Sequence, residues 1–275
     1  MDLEDKVVVA TAAGNGIGRE VMLEFGRRGA RLVVSDFDAA AAERVAAELT
    51  RAGTQAFAVR CDVTSDSDVN ALAEQAFERF GQVDVLMNHA GVPAAGPIHS
   101  VPLSDWKWVF DVNVLGIVRA LKAFLPAMSK QGSGLIINTA SSLGLFPEQP
   151  FALPYTTTKA GVIGLTEALA LYCRPMGIRA MALVPDITRT SFHTSGRMTA
   201  LDDDQLKGLL PLDQEQLPTD VCQALFEAID GNAFIASNVP NWKKLLRDKA
   251  EDELMPKFRA YPGVANAVEE FARSA

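Results

Sequence analysis

The chain has 275 residues, of which 48% are hydrophobic and 22% charged, and its 34 acidic against 26 basic side chains give a net charge of −8. A chain of this length and composition buries a full core, which excludes a disordered chain, a collagen and a disulfide miniprotein. The acidic balance disfavours nucleic acid, no apolar run reaches the ~18 residues of a membrane span, and the acidic start Met1-Asp2-Leu3-Glu4-Asp5 is unlike a signal peptide, so we expect a cytoplasmic protein with neither nucleic-acid nor membrane partners.

Lys6 to Thr11 (K-V-V-V-A-T) is a β-branched apolar run without alternation, which predicts a strand buried on both faces. A glycine-rich turn and a helical pattern to Gly29 follow. The cycle returns as a strand over 31–35, an Ala-rich helix over 39–52, a strand over 56–60, a helix over 66–80 and a strand over 83–87. Further strands fall at 135–138 and 178–184, separated by long helical stretches at about 105–130 and 155–175. This alternation predicts an α/β fold: one doubly wound parallel sheet with helices on both faces, in a single domain spanning 1–275. Two segments break the rhythm. Residues 186–217 carry charge, turn formers and the scattered apolar residues Phe192, Met198, Leu209 and Leu210, and read as a surface loop or a substrate lid. Residues 240–275 read as a charged helical tail with Trp242, Phe258 and Phe271. The widely spaced Cys61, Cys173 and Cys222 predict a reducing compartment, with neither a disulfide framework nor a metal site.

The first strand runs into T-A-A-G-N-G-I-G, Thr11 to Gly18. Gly14, Gly16 and Gly18 let backbone approach a pyrophosphate closely, while a helix N-terminus supplies N–H groups and partial positive charge. Asp36, 18 residues after Gly18, closes the second strand where an acid accepts the ribose hydroxyls of NAD. The alternative is a tight strand–helix turn with no ligand.

The chain resembles the short-chain dehydrogenase/reductase family, and later motifs strengthen the likeness. N-H-A-G (Asn88 to Gly91) is similar to that family's N-N-A-G. D-V-N-V-L-G places Asn113 where the family keeps an asparagine, and Y-T-T-T-K supplies Tyr155 and Lys159 of its Y-x-x-x-K signature. T-A-S-S-L-G places Ser142 13 residues before Tyr155, the family's usual serine–tyrosine spacing. The likeness covers about residues 5–190 and implies a Rossmann-type sheet. Four departures stand out. Ala12 replaces the family's first glycine, His89 replaces the second asparagine and reads as a structural side chain, and Pro185-Asp186 replaces Pro-Gly. The family's last strand reads as missing, with A-F-I-A-S-N-V-P and the tail in its place.

The resemblance implies an NAD-dependent oxidoreductase in which Tyr155 is the general base or acid, Ser142 holds the substrate oxygen, Asn113 holds a relay water and Lys159 holds the nicotinamide ribose. A lysine four residues from a tyrosine shares its helix face, and its charge is expected to lower the phenol. By the same likeness the dinucleotide is held by Gly14, Asn15, Gly16, Ile17 and Gly18 at the turn, by Asp36 and Phe37, and by Asp62, Val63, Asn88, Ala90 and Gly91. Tyr155, Lys159, Pro185, Ile187, Thr188 and Thr190 complete that set. Asp62 also reads as a cap ahead of Thr64. Between the serine and the tyrosine, Leu143, Phe146, Phe151 and Leu153 offer apolar surface and no Lys or Arg occurs. Phe192 and Met198 add to this, with Arg189, Arg197 and His193 as possible polar contacts. The expected substrate is therefore a mainly apolar secondary alcohol or its ketone. The competing readings are a non-catalytic NAD sensor or scaffold, and a dehydratase or epimerase on the same scaffold. The stretch Ala160 to Cys173 is apolar nearly all the way round, which predicts a homodimer or homotetramer.

Overall fold

Six short apolar runs and one late addition make the central sheet of the computed structural model, which describes residues 1–201 and 216–251. They are β1 (Val7–Ala10), β2 (Arg31–Asp36), β3 (Ala56–Arg60), β4 (Val85–Asn88), β6 (Gly134–Thr139), β7 (Ile178–Val184) and β9 (Ile235–Ser237). All pair in parallel, in the order β3-β2-β1-β4-β6-β7-β9. Strand β1 shows why no alternation is visible in the sequence. Val7 and Val9 belong to the core on one face, Val8 and Ala10 to the core on the other, and all four are inaccessible.

The intervening helices cover those two faces. α1 (Gly16–Arg27), α2 (Ala39–Arg51) and α8 (Pro218–Asp230) bury Phe25, Leu49 and Phe226 on one side. α3 (Asp66–Phe80), α5 (Gly116–Gln131) and α7 (Leu153–Cys173) bury Leu72, Phe124 and Val162 on the other. Local chemistry sets their ends. Asp38 accepts from Ala41 N to cap α2 and Ser65 accepts from Asp68 N to cap α3, while Gly81 and Gly132 terminate α3 and α5 in the left-handed conformation.

The stretch at about 105–130 is not one helix. α4 (Leu103–Phe110) passes through a π-helical turn, Asp111–Leu115, into α5, and such turns mark functional sites more often than chance. The expectation that the last strand is missing is corrected: β9 pairs along β7 through Ala182–Ile235, Leu183–Ala236 and Val184–Ser237. Three residues at a sheet edge need partners on one side only, so they carry little sequence signal. Part of the 186–217 segment folds over the strand ends. A 3₁₀ turn, Ser191–Ser195, leads to β8 (Arg197–Met198), which pairs in parallel with β5 (Ala94–Ala95). Leu209 and Leu210 lie outside the described residues, as do Phe258 and Phe271 of the tail. The described part of the tail is α9 (Trp242–Glu251). Its Trp242, Leu245 and Leu246 pack on the core that includes Leu145 and Phe146, and Lys249 Nζ donates to the Leu145 carbonyl at 2.6 Å.

Candidate active site

A cleft of about 810 Å³ opens at the carboxyl ends of the strands, where a doubly wound sheet binds ligands. At one end lie Asn15, Gly16 and Ile17 of the first turn, with Asp36, Phe37, Cys61, Asp62 and Val63. The N-terminus of α1 differs from those of α2 and α3: the Asn15 side chain makes no capping bond, so the first N–H groups of α1 are left facing the cleft. The glycines permit this approach by close packing. A Cβ on Gly18 would fall 2.4 Å from the Ala12 carbonyl oxygen, and Gly16 has φ +52° with Thr190 Cγ2 2.9 Å from where its Cβ would stand. Ala12, at the family's glycine position, also takes a positive φ of 52°, which costs an alanine ~1 kcal/mol.

Asp36 is held in place by two backbone donors, Gly14 N at 2.9 Å and Asp38 N at 3.0 Å, one on each carboxylate oxygen. Asp62 accepts from Thr64 N and Thr64 Oγ1 at 2.9 and 2.7 Å and so ties its own turn, while Ser65 is the helix cap. An uncapped helix N-terminus beside a fixed carboxylate suits a dinucleotide, whose pyrophosphate would lie at Asn15 to Ile17 and whose ribose hydroxyls would meet Asp36.

The other end of the cleft holds Ser141, Ser142, Tyr155 and Lys159. Two buried asparagines fix the register of α7. Asn113, at the π turn, accepts from Val92 N at 2.8 Å and donates to Thr158 Oγ1 at 3.0 Å; Thr158 in turn donates to the Tyr155 carbonyl at 2.7 Å. Asn138 accepts from Asn88 Nδ2 at 2.8 Å and donates to Thr166 Oγ1 at 3.1 Å. Lys159, 2% exposed, donates to the Thr139 carbonyl at 2.7 Å and its Nζ lies 5.6 Å from the centre of the Tyr155 ring. Thr139 Oγ1 meets His89 Nδ1 at 3.0 Å. Burial pushes His89 down to about 4, helped by the charge of Lys159, so the imidazole is neutral and structural.

The structure revises several expectations. Ser141 and Ser142 both line the cleft, and the Ser141 hydroxyl accepts from Leu143 N at 3.3 Å. Ser142 begins a short helix, α6 (Ser142–Leu145), and its backbone N–H donates to the Pro185 carbonyl. Asn113 is wholly buried, and its side-chain amide joins the loop at Val92 to Thr158 of α7. Asn113, Asn88, Gly14 and Gly18 stand behind the cleft wall; Ala90, Gly91, Pro185, Ile187, Thr188 and Thr190 line it. Lys159 does not lower Tyr155 here. Burial raises the phenol to about 12, and the same cause lowers Lys159 to about 7.

Phe146 and Phe151 turn into the protein, at 4% and 7% exposure, and of the four apolar residues proposed for the substrate wall only Leu143 lines the cleft. Phe192 and Met198 line the cleft as expected, and Val92, Pro93, Ala94 and Trp108 complete that wall, with the Phe192 ring 5.5 Å from the Tyr155 ring. Arg197 is paired to Asp105 at 2.8 Å and stacked over Trp108, and neither it nor Arg189 reaches the cleft; the His193 side chain lies outside the described residues. Asp186 needs no glycine, since its φ is not positive: its N–H donates to Asn238 Oδ1 and its carboxylate accepts from Gln216 Nε2.

A family model described as short chain dehydrogenase matches residues 6–200. The 7alpha-hydroxysteroid dehydrogenase of Escherichia coli (strain K12) is 30% identical over 240 residues, 87% of this chain and 90% of that protein. The meso-2,3-butanediol dehydrogenase of Serratia marcescens is 34% identical over 242 residues, 87% and 94% respectively. A short chain dehydrogenase/reductase from Burkholderia phymatum in complex with NAD has a solved structure that superposes with a TM-score of 0.85 at 31% identity, covering 94% of this chain and 98% of that one. The 3-ketoacyl-(acyl-carrier-protein) reductase from Brucella melitensis, complexed with NADH, gives 0.74 at 30% identity, covering 86% and 98%.

Proposed function

The chain belongs to the short-chain dehydrogenase family, and on that premise we propose that it interconverts a mainly apolar, neutral secondary alcohol and its ketone with NAD(H), in the cytoplasm. The observation that carries this reading is the one cleft that joins the open α1 N-terminus and Asp36 to the Ser142–Tyr155–Lys159 group. The nicotinamide cofactor supplies the hydride acceptor or donor when bound. Tyr155 Oη takes the proton of the alcohol, Ser142 steadies the substrate oxygen as charge develops on it, and Lys159, on the same helix face, supports the tyrosinate once a bound cofactor brings further positive charge. Asn113 and Asn138 are positioning residues that set the height of α7.

Asp36 favours NAD, because a second anion beside its carboxylate is repelled; Arg60, stacked over Phe37, is already paired to Asp68 at 2.6 Å. The relatives named for a hydroxysteroid and a butanediol support an alcohol substrate without choosing its size. We further propose a two-fold assembly through α5 and α7, where Leu171 and Tyr172 are 74% and 62% exposed and Gly161 and Gly164 leave open space. The test of the reaction is nicotinamide absorbance at 340 nm with a panel of secondary alcohols. Tyr155→Phe should lower turnover by at least ~100-fold, and a folded Tyr155→Phe protein with wild-type turnover would remove the mechanism.

A further inference from the structure

Within the substrate end of the cleft, one polar group has no use in the chemistry just described. Gln149 lines the cleft six residues before Tyr155, is 6% exposed, and its amide Nε2 has no hydrogen-bond partner. Other buried side-chain atoms without partners occur among the described residues, on Ser35, Asn88, Asp111 and Thr156, but of these residues only Asp111 lines the cleft, and its carboxylate meets Arg119 at 2.7 Å. The backbone at Gln149 is held in place. Its carbonyl accepts from Ala152 N at 3.1 Å, and the loop is anchored by the buried Phe146 and Phe151 on either side. A buried N–H without an acceptor is destabilising, so a residue kept in this position is completed by something that enters the cleft.

The charge of the cleft narrows what enters. Lys159 is the sole Lys or Arg among its described lining residues, against Asp36, Asp62, Asp111, Glu148 and Asp186. Glu148 is the neighbour of Gln149 in that lining, which disfavours an anionic oxygen. An amide N–H₂ only donates, so its partner must be an acceptor.

Resting on the alcohol–ketone reading above, we propose that the substrate carries a second, neutral oxygen in addition to the reacting one, as in a diol, hydroxyketone or diketone, and that Gln149 Nε2 donates to it. Gln149 is then a specificity-determining residue. The apolar wall of Val92, Trp108 and Phe192 selects the carbon skeleton, while Gln149 selects for the second oxygen by leaving its own amide unpaired when a plain ketone binds.

The experiment compares kcat/KM for matched pairs, 3-hydroxy-2-butanone against 2-butanone and 2,3-butanediol against 2-butanol, and their homologues with the second oxygen moved one and two carbons away. It uses the full chain, wild type and Gln149→Leu, with thermal melting of each protein. The wild type should prefer the two-oxygen member of at least one pair by ~10- to 100-fold, and in Gln149→Leu that ratio should fall towards one. Replacing an unpaired buried amide by an apolar group should leave the melting temperature unchanged or raise it, whereas a purely structural glutamine would lower it. Equal use of both members by the wild type overturns the second oxygen alone, as does an unchanged ratio in Gln149→Leu. An absence of turnover with every member overturns the alcohol–ketone reading and this proposal with it.

Discussion

The lysine at the centre of the site weakens the fold that carries it, and this is measurable. Lys159 sits at 2% exposure and burial lowers it from 10.5 to about 7. In the unfolded chain the ammonium forms at every pH below ~10.4, so between about 7 and 10.5 the unfolded state binds more protons and wild-type stability contributed by this group rises with pH. Integrating the difference, burial of Lys159 costs ~5 kcal/mol at pH 6 and ~2 kcal/mol at pH 9. Lys159→Met keeps the apolar stem and removes the charge, but leaves the Thr139 carbonyl without the donor now at 2.7 Å. That loss costs ~2 kcal/mol, so the variant should gain ~2–3 kcal/mol at pH 6 and almost nothing at pH 9. For a chain of this size the gain is a rise of ~5–10 °C in melting temperature at pH 6 that vanishes by pH 9. Differential scanning calorimetry of both proteins at the two pH values is the assay. A shift of equal size at both, or a less stable variant at pH 6, would refute the burial argument. Activity should be lost in the same variant, the usual exchange between a strained site and a stable one.

Ser142→Ala should cost ~100-fold in turnover and Ser141→Ala less than ~5-fold, read by steady-state kinetics on any accepted alcohol; the reverse order would move the role to Ser141. Like charges ~4 Å apart cost ~1–4 kcal/mol, so kcat/KM should favour NAD over NADP by ~10- to 1000-fold. Asp36→Asn, which keeps an acceptor for Gly14 N at its present 2.9 Å, should narrow that ratio, and equal efficiency in the wild type would contradict the assignment. Light scattering at micromolar concentration should give at least twice the chain mass, and Leu171→Glu with Tyr172→Glu should lower it; a monomeric wild type disposes of the α5–α7 interface.

The strands were legible wherever burial on two faces left an unbroken apolar run, as in Val7 to Ala10 or Ile178 to Val184, and the phosphate turn was legible because no side chain fits at Gly16 or Gly18. β9 was not legible, since three residues at an edge have no periodicity to show. The loop from Leu143 to Pro154 misled for a related reason. Outside a helix or strand, an apolar side chain carries no phase, so Phe146 and Phe151 read as substrate wall when they are anchors. The lowered tyrosine failed because spacing shows that two groups share a face but not how much water both lose.

The link from Lys249 to the Leu145 carbonyl spans 104 residues of sequence and joins α9 to the segment that bears Ser141 and Gln149. No residue of α9 is fully buried, and it holds on through Trp242, Leu245, Leu246 and this one bond. Such a helix should undock at a smaller free energy than global unfolding. Amide exchange in the Leu143 to Gln149 loop is therefore governed by the docking equilibrium of α9 rather than by the stability of the β6 strand beside it.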